Sequence, residues 1–201
     1  MKKALIVVDI QNDFCEGGAL AVPEANSIIP YVNLLMEDTT YDEIILTQDW
    51  HPANHKSFAS NNGRKVGEVI NLNGLPQFMW PDHCVQGTSG AEFHPDLNTK
   101  NVTHIVQKGK NTEVDSYSGF QDNNHFMKTD LEDYLKFKDI EIVEIVGLAL
   151  DYCVKYTCLD AANAGFITCL HFKGTKAVNA QPGNDKDAIF QLLENNVTIL
   201  S

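Results

Sequence analysis

A carboxylate, a lysine and a cysteine each follow a different apolar run of this sequence. Asp9 comes directly after the run 4–8, Lys108 ends a shorter run, and Cys153 follows the run 140–146. In open parallel sheets, ligands bind beyond the carboxyl ends of the strands, so these side chains should meet at one edge. A thiol with a pKa near ~8.5 needs a base or a nearby cation to become a nucleophile. We therefore predict that Asp9 takes the Cys153 proton and that Lys108 stabilises the thiolate.

A second group of residues could bind a metal ion. Asp49 and His51 are two positions apart in an extended segment, so both side chains should point the same way. His83 could complete a three-ligand site, and His55 is either a further ligand or a supporting residue. Two imidazoles and one carboxylate suit a single divalent ion, with zinc as the first expectation and iron or manganese as alternatives.

The elements that must position these residues alternate along the chain. Strands are predicted from the apolar runs at 4–8, 43–47, 104–106, 140–146, 166–172 and 197–200. Helical patterns span 25–37, 127–137, 151–164 and 185–194. This alternation predicts an α/β fold: a mostly parallel, open sheet of about six strands with helices on both faces. The 201 residues suit one domain.

One segment lacks this alternation of predicted strands and helices. Residues 49–97 show little periodicity but contain many Asn, Gly, Pro, His and Trp residues. A long loop inside a compact domain is usually functional or disordered, and the aromatic and histidine content argues against disorder. We expect an ordered excursion that builds the metal and substrate site.

Composition excludes several classes of function. Hydrophobic residues make up 43% of the chain, which is typical of a globular protein, and no stretch approaches the ~20 apolar residues of a membrane span. The formal net charge of −12 disfavours binding to nucleic acid or to anionic membranes. The 5 cysteines form no C-x-x-C pair, and the apolar run before Asp9 is too short for a secretion signal. We expect reduced thiols and a cytoplasmic location.

Two enzyme classes fit these residues. Two histidines and one carboxylate could form a non-haem iron oxygenase site. Alternatively, a cysteine hydrolase could use the metal to hold its substrate. The strand–helix alternation disfavours the oxygenase, whose usual scaffold is an antiparallel jelly roll, and the oxygenase leaves Asp9, Lys108 and Cys153 without a task.

Several blocks of the sequence resemble bacterial nicotinamidases, within the isochorismatase-like hydrolases. The blocks, in the family's order, are DIQNDF at 9–14, TQDWHP at 47–52, WPDHCVQGT at 80–88, KG at 108–109, DSYSGF at 115–120 and GLALDYCV at 147–154. The second and third of these separate nicotinamidases from other isochorismatase-like hydrolases. Where most nicotinamidases carry Thr, this chain has Leu150, which touches no expected catalytic group.

The resemblance implies an activity and a set of site residues. The activity is hydrolysis of nicotinamide to nicotinate and ammonia through a cysteine thioester, in NAD salvage, and also hydrolysis of pyrazinamide. The implied sites are a triad of Asp9, Lys108 and Cys153; metal ligands Asp49, His51 and His83; aromatic pocket walls Phe14, Trp80 and Tyr117; and an oxyanion hole from the N–H groups of Ala149 and Cys153. Relatives also have a cis peptide at or next to the first oxyanion-hole residue.

Three alternatives remain open. One is another isochorismatase-like hydrolase that acts on isochorismate or an N-carbamoyl compound; isochorismatases lack the metal ligands and do not need the cysteine. A second is a non-catalytic protein that binds a small ring compound. A structural zinc domain is the third, although structural zinc prefers four ligands, mostly sulfur. The sequence does not predict whether the chain forms homo-oligomers.

Overall fold

The computed structural model describes all residues, 1–201, and contains eight strands and four α-helices. The strands are β1 (Lys2–Val8), β2 (Glu43–Asp49), β3 (Val69–Leu72), β4 (Leu75–Phe78), β5 (His104–Lys108), β6 (Ile140–Leu148), β7 (Ile167–Lys176) and β8 (Thr198–Leu200). The helices are α1 (Ile29–Met36), α2 (Leu131–Phe137), α3 (Lys155–Asn163) and α4 (Asn184–Glu194). None of the helices is long and apolar enough to cross a membrane.

Six strands form one parallel sheet in the order β5-β2-β1-β6-β7-β8. The central strand β1 is buried from Ala4 to Val8, which explains its continuous apolar sequence. Because all six strands run the same way, the carboxyl ends of β1, β2, β5 and β6 lie at one edge. The predicted fold class, an open parallel α/β sheet, is confirmed.

Each face of the sheet is covered by helices, and β1 contributes to both cores. Ala4, Ile6 and Val8 pack in a cluster with residues of α2, α3 and α4. Leu5 and Val7 point the other way and pack in a cluster with residues of α1. This alternation is the period-2 geometry of a strand.

Three predicted helix boundaries were wrong. The helix predicted at 25–37 is a 3-10 turn at Ala25–Ile28 followed by α1. The helix predicted at 127–137 begins at Leu131, because its backbone N–H donates to the Thr129 hydroxyl (3.2 Å) and that hydroxyl donates to the Gly119 carbonyl (2.6 Å). The helix predicted at 151–164 is divided: residues Leu150–Val154 form a wider π-helical turn before α3 starts. Such turns occur frequently at functional sites.

The excursion contains a hairpin that was not predicted. Strands β3 and β4 pair antiparallel, and Asn73 and Gly74 form their two-residue connection. Both residues have positive φ, 52° and 92° respectively, as a type I′ turn requires. The Asn-Gly pair between two leucines is a strong hairpin signal in the sequence, and it was missed because the flanking strands are only four residues long.

Candidate active site

Lys108 lies at the centre of the residues that follow the strands. Its Nζ lies 2.9 Å from Asp9 Oδ2 and 2.7 Å from Asp49 Oδ1, and it donates to the Ser116 carbonyl at 3.0 Å. Its Nζ also lies 3.5 Å from Cys153 Sγ. The structure therefore brings Asp9, Lys108 and Cys153 together, all of them buried.

Tight backbone geometry places Asp9 beside the thiol. Asp9 has a φ of 48°, a left-handed conformation that a non-glycine residue adopts at some cost in free energy. The Thr47 hydroxyl donates to Asp9 Oδ1 at 2.6 Å, and Oδ2 forms an ion pair with Lys108 Nζ at 2.9 Å. Gly147 has a φ of 115°, and a Cβ there would lie 2.1 Å from the Val8 carbonyl oxygen, so only glycine lets β6 approach this turn.

Lys108 is the positive charge that favours a thiolate at this centre. Burial raises the pKa of Asp9, and Lys108 opposes that effect. Burial also raises the pKa of Cys153 well above that of a free thiol, again opposed by Lys108. Lys108 stays charged, because Asp49 and Asp9 raise its pKa despite its burial. Asp9 is consequently a stronger base than an exposed aspartate, and it lies where the Cys153 proton must go.

The raised pKa of Asp9 predicts the acidic limit of activity. A general base must be unprotonated in the free enzyme, so kcat/KM should fall as pH drops through the pKa of Asp9. Because this pKa is raised, the fall should occur at a pH above the ordinary aspartate range. A profile of kcat/KM between about pH 4 and pH 9 checks this, and a fall centred at or below the ordinary aspartate pKa would contradict it.

Asp49, His51 and His83 form a second cluster next to the first. Asp49 Oδ2 lies 3.2 Å from His51 Nε2 and 3.6 Å from His83 Nε2. The donor atoms of the three residues all lie within 4.8 Å of one another, and all three side chains are buried. The charges of His51 and Lys108 lower the pKa of Asp49 despite its burial, which keeps it a carboxylate.

Backbone carbonyls fix the orientation of both imidazoles. His51 Nδ1 lies 2.9 Å from the Gly109 carbonyl and His83 Nδ1 lies 2.8 Å from the Pro81 carbonyl. Because a carbonyl can only accept, each Nδ1 carries a proton, and each Nε2 faces Asp49, where it would bind a metal ion in the neutral form of the imidazole. A Cβ at Gly109 would lie 2.5 Å from the His51 ring, so glycine is required for this approach. The three residues fit a divalent metal ion.

Two polar side chains that the sequence analysis did not single out hold this cluster in place. Gln11 binds the backbone of Asp49 twice: its Nε2 donates to the carbonyl and its Oε1 accepts the N–H, both at 2.8 Å. Asp13 Oδ2 accepts the N–H of Cys84, the residue after His83, at 2.7 Å. Both belong to the DIQNDF block, so the motif was visible although these roles were not.

His55 lies beside the cluster, but no backbone carbonyl fixes the orientation of its ring. Its ring centroid lies 4.3 Å from that of His51, and its Nδ1 accepts the N–H of Ser57 at 3.2 Å. Its Nε2 is buried without a hydrogen-bond partner. Burial lowers the pKa of His55 to about 4, so the ring is neutral near pH 7. The structure places the His55 ring next to that of His51, and its role as a further ligand or a supporting residue stays a prediction.

An aromatic cavity opens onto both clusters. Phe14, Trp80 and Tyr117 all line it, as the resemblance implied, and Trp80 Nε1 donates to the Tyr117 hydroxyl at 3.2 Å. The cavity also contacts Asp49, His83 and Cys153, so it lies between the thiol and the residues that could bind a metal ion. Four further wall residues were missed: Leu20, Asp115, Tyr152 and Val178. Only Asp115 and Tyr152 fall within the motif blocks.

The nucleophile's own turn completes the site. Ala149 lines the cavity beside Cys153, and the peptide bond from Leu148 to Ala149 is cis, as the resemblance implied. Leu150 is 3% exposed and packs in the core cluster with α3, not in the cavity wall. The departure at this position therefore replaces a hydroxyl with an apolar core contact.

A larger groove elsewhere is a weaker candidate site. It encloses about 540 Å³ along the outer edge of β5, and its walls are mostly polar and open to solvent. Small-molecule sites are usually enclosed and largely apolar, with a few convergent polar groups. The aromatic cavity meets that description, whereas the groove is lined mostly by polar residues.

Comparisons with known proteins show which family the chain matches. Residues 3–201 match the family model described as Isochorismatase domain. The nicotinamidase of Escherichia coli is 45% identical over 199 residues, which cover 98% of this chain and 93% of that protein. A solved Acinetobacter baumannii nicotinamidase/pyrazinamidase has a TM-score of 0.95 at 42% identity, covering 100% of this chain and 96% of that one.

A zinc-containing structure is also similar. The pyrazinamidase of Pyrococcus horikoshii, solved in complex with zinc, has a TM-score of 0.82 at 36% identity and covers 100% of this chain and 99% of that one. Both the sequence and the fold of this protein therefore match one group of hydrolases along the whole chain. The protein belongs to the isochorismatase family, among its nicotinamidases.

Proposed function

We propose that this protein hydrolyses nicotinamide to nicotinate and ammonia. The observation that supports this most strongly is the position of Lys108, whose Nζ contacts Asp9, Asp49 and Cys153 at once and so joins the thiol centre to the metal-ligand cluster. An aromatic cavity opens on both clusters. Nicotinamide is a flat neutral ring with a carboxamide at one side and a pyridine nitrogen at the other, which matches these two ends.

In the proposed reaction, Asp9 accepts the proton of Cys153 and the thiolate sulfur forms a bond to the carboxamide carbon. The N–H groups of Ala149 and Cys153 donate to the oxyanion, which typically contributes about 3–4 kcal/mol per donor. Asp9 then gives its proton to the amide nitrogen and the C–N bond breaks. Ammonia departs, and a thioester remains on Cys153. A water gives one proton to Asp9 and attacks the thioester, and Asp9 returns that proton to the departing thiolate sulfur. Nicotinic acid is released and loses its proton to solvent as nicotinate.

A divalent metal ion, with zinc as the first candidate and iron or manganese as alternatives, would be held by Asp49, His51 and His83. When bound, it would supply a Lewis-acid contact for the pyridine nitrogen. The role of the protein at this end is to hold three neutral or anionic donors in a fixed orientation, through Gln11 and the carbonyls behind the imidazoles.

His51→Ala should act on binding more than on the chemical step. Loss of one of three ligands should reduce metal content and raise KM by about tenfold or more, since weakening a metal site typically costs 10- to 100-fold. We would measure metal by mass spectrometry together with kcat and KM. Full metal content with an unchanged KM would contradict the role of His51, and His94→Ala, at a histidine distant from the cluster, is the control.

The same site should accept pyrazinamide, whose ring differs from that of nicotinamide by one nitrogen. We place the reaction in NAD salvage in the cytoplasm, with the excursion at 49–97 as the part of a single domain that builds the metal and substrate site. An isochorismate- or carbamoyl-directed hydrolase is less well supported, because it gives no role to the three metal ligands.

A substrate panel tests the proposal. Ammonia release is measured from nicotinamide, pyrazinamide and an N-carbamoyl amino acid, with chelated protein and after addition of zinc, iron or manganese. We expect turnover of the two ring amides, which chelation weakens and one metal restores. Turnover of the carbamoyl compound alone, or of no ring amide under any condition, would overturn the proposed function.

A further inference from the structure

Asp115 places a carboxylate in the wall of the aromatic cavity without a cationic partner. The side chain is 4% exposed, and its Oδ1 accepts the Ser116 N–H at 2.8 Å. Its Oδ2 accepts Nε2 of Gln77 at 3.2 Å. Both donors are uncharged, whereas the other wall carboxylate, Asp49, is paired with Lys108 at 2.7 Å. Asp115 therefore directs an unpaired negative charge at the cavity.

This charge acts on the interior of the site. A carboxylate oxygen of Asp115 lies within 4.8 Å of a ring nitrogen of His51 and of His55, at the metal end of the cavity. After burial, the charge of Asp115 is the next largest cause of the raised pKa of the Tyr117 hydroxyl. The hydrogen-bond donors hold the carboxylate in place, so it cannot turn away from a bound ring.

The charged groups of the two clusters and of the cavity lining balance only when Asp115 is counted. Asp9, Asp49 and Asp115 are negative and Lys108 is positive. A divalent ion on the ligand cluster, with its imidazoles neutral, brings this set to zero. A neutral ring amide matches such a site, but the ring acid formed from it adds a negative charge. Without the carboxylate of Asp115, the same site would be net positive and would hold the acid.

We propose that Asp115 is a specificity-determining residue that weakens the binding of anionic ring acids, so that the nicotinate product binds less tightly than nicotinamide. The inference rests on the proposed function and identifies the residue that discriminates substrate from product. Unit charges about 7 Å apart, at an effective dielectric constant of about 20, alter affinity by more than tenfold. We expect an effect of about tenfold or more.

The test measures binding without turnover. In the metal-loaded Cys153→Ala protein, dissociation constants of nicotinamide and nicotinate are measured by calorimetry at pH 7.5, along with metal content and Tm. The same two dissociation constants are then measured in the double variant that carries both Cys153→Ala and Asp115→Asn. The ratio of the nicotinate to the nicotinamide constant should fall by about tenfold or more, whereas a merely structural role would change both constants by the same factor.

Two controls sharpen the result. Asp122→Asn removes another buried carboxylate of the same loop, one that accepts backbone N–H groups outside the cavity, and should leave the ratio within about twofold. Asp115→Glu keeps the negative charge, so nicotinate should still bind more weakly than nicotinamide. An unchanged ratio in Asp115→Asn would overturn the inference.

The inference can fail even where Asp115→Asn does not fold. In the protein that retains Asp115, nicotinate must bind at least about tenfold more weakly than nicotinamide, and equal or tighter binding would also overturn it. Ammonia release by the unmodified enzyme is measured on the same preparation. An active enzyme with the wrong ratio rejects only the role of Asp115, whereas an inactive one rejects the proposed function.

Discussion

Cys153→Ala should lower kcat for nicotinamide by about 10⁴-fold or more while leaving the fold intact. The substitution removes the only atom that can form the thioester, and loss of a nucleophile typically costs several orders of magnitude in rate. Its contact with Lys108 is long, at 3.5 Å, so the remaining methyl group should preserve packing. Initial rates of ammonia release and the Tm of both proteins measure these two effects.

Cys158→Ala is the matched control. Cys158 lies on α3, only one and a half turns along the chain from the nucleophile, but it is completely buried in the apolar core and does not line the cavity. Its loss should cost about 1 kcal/mol of stability and leave kcat within a few fold. Retained activity in Cys153→Ala would rule out covalent catalysis by this thiol.

Lys108→Met should lower the free energy of unfolding by about 3–5 kcal/mol, besides abolishing activity. Lys108 is 1% exposed and pairs with two buried carboxylates. Methionine fits the volume but leaves Asp9 and Asp49 buried without a cation, and breaking a buried pair in this way is strongly destabilising. Urea unfolding of the metal-free proteins measures the loss.

Lys138→Met is the comparison for this prediction. Lys138 pairs with Glu43 at 2.7 Å, but its side chain is 36% exposed, so its removal should cost no more than about 1 kcal/mol. Adding Asp9→Asn to Lys108→Met should recover part of the lost stability, because it removes one of the two buried charges left without a cation. Equal losses for the two lysines would contradict the electrostatic account of Lys108.

The sequence is most informative about residues that directly follow a strand. Asp9, Asp49 and Lys108 could be placed at one sheet edge because β-branched runs identify the strands and parallel strands end together. The arrangement around Lys108 was not predictable in the same way. It depends on the order β5-β2-β1-β6, in which Lys108 at the end of the edge strand β5 reaches Asp49 on β2 and Asp9 after β1.

Parts of the cavity carry no local signal at all. Leu20 and Val178 lie in loops far apart in the sequence and reach the cavity only in the folded chain. Val178 is held there by Asp151, whose Oδ1 accepts its N–H at 2.9 Å, and such a long-range contact leaves no periodic pattern. The charge balance that involves Asp115 likewise becomes visible only when the distances between charged groups are known.

In the proposed reaction, the thiol of Cys153 attacks the carbonyl carbon of a bound pyridine compound. Nicotinaldehyde tests it directly, because an aldehyde has no leaving group and its thiol adduct stops at the thiohemiacetal. With carbonyl-¹³C-labelled nicotinaldehyde, the NMR signal of the bound carbon should move from the aldehyde region to that of a tetrahedral carbon, and should fail to do so in Cys153→Ala. A bound signal that stays in the aldehyde region, or a tetrahedral signal that persists in Cys153→Ala, would contradict the account.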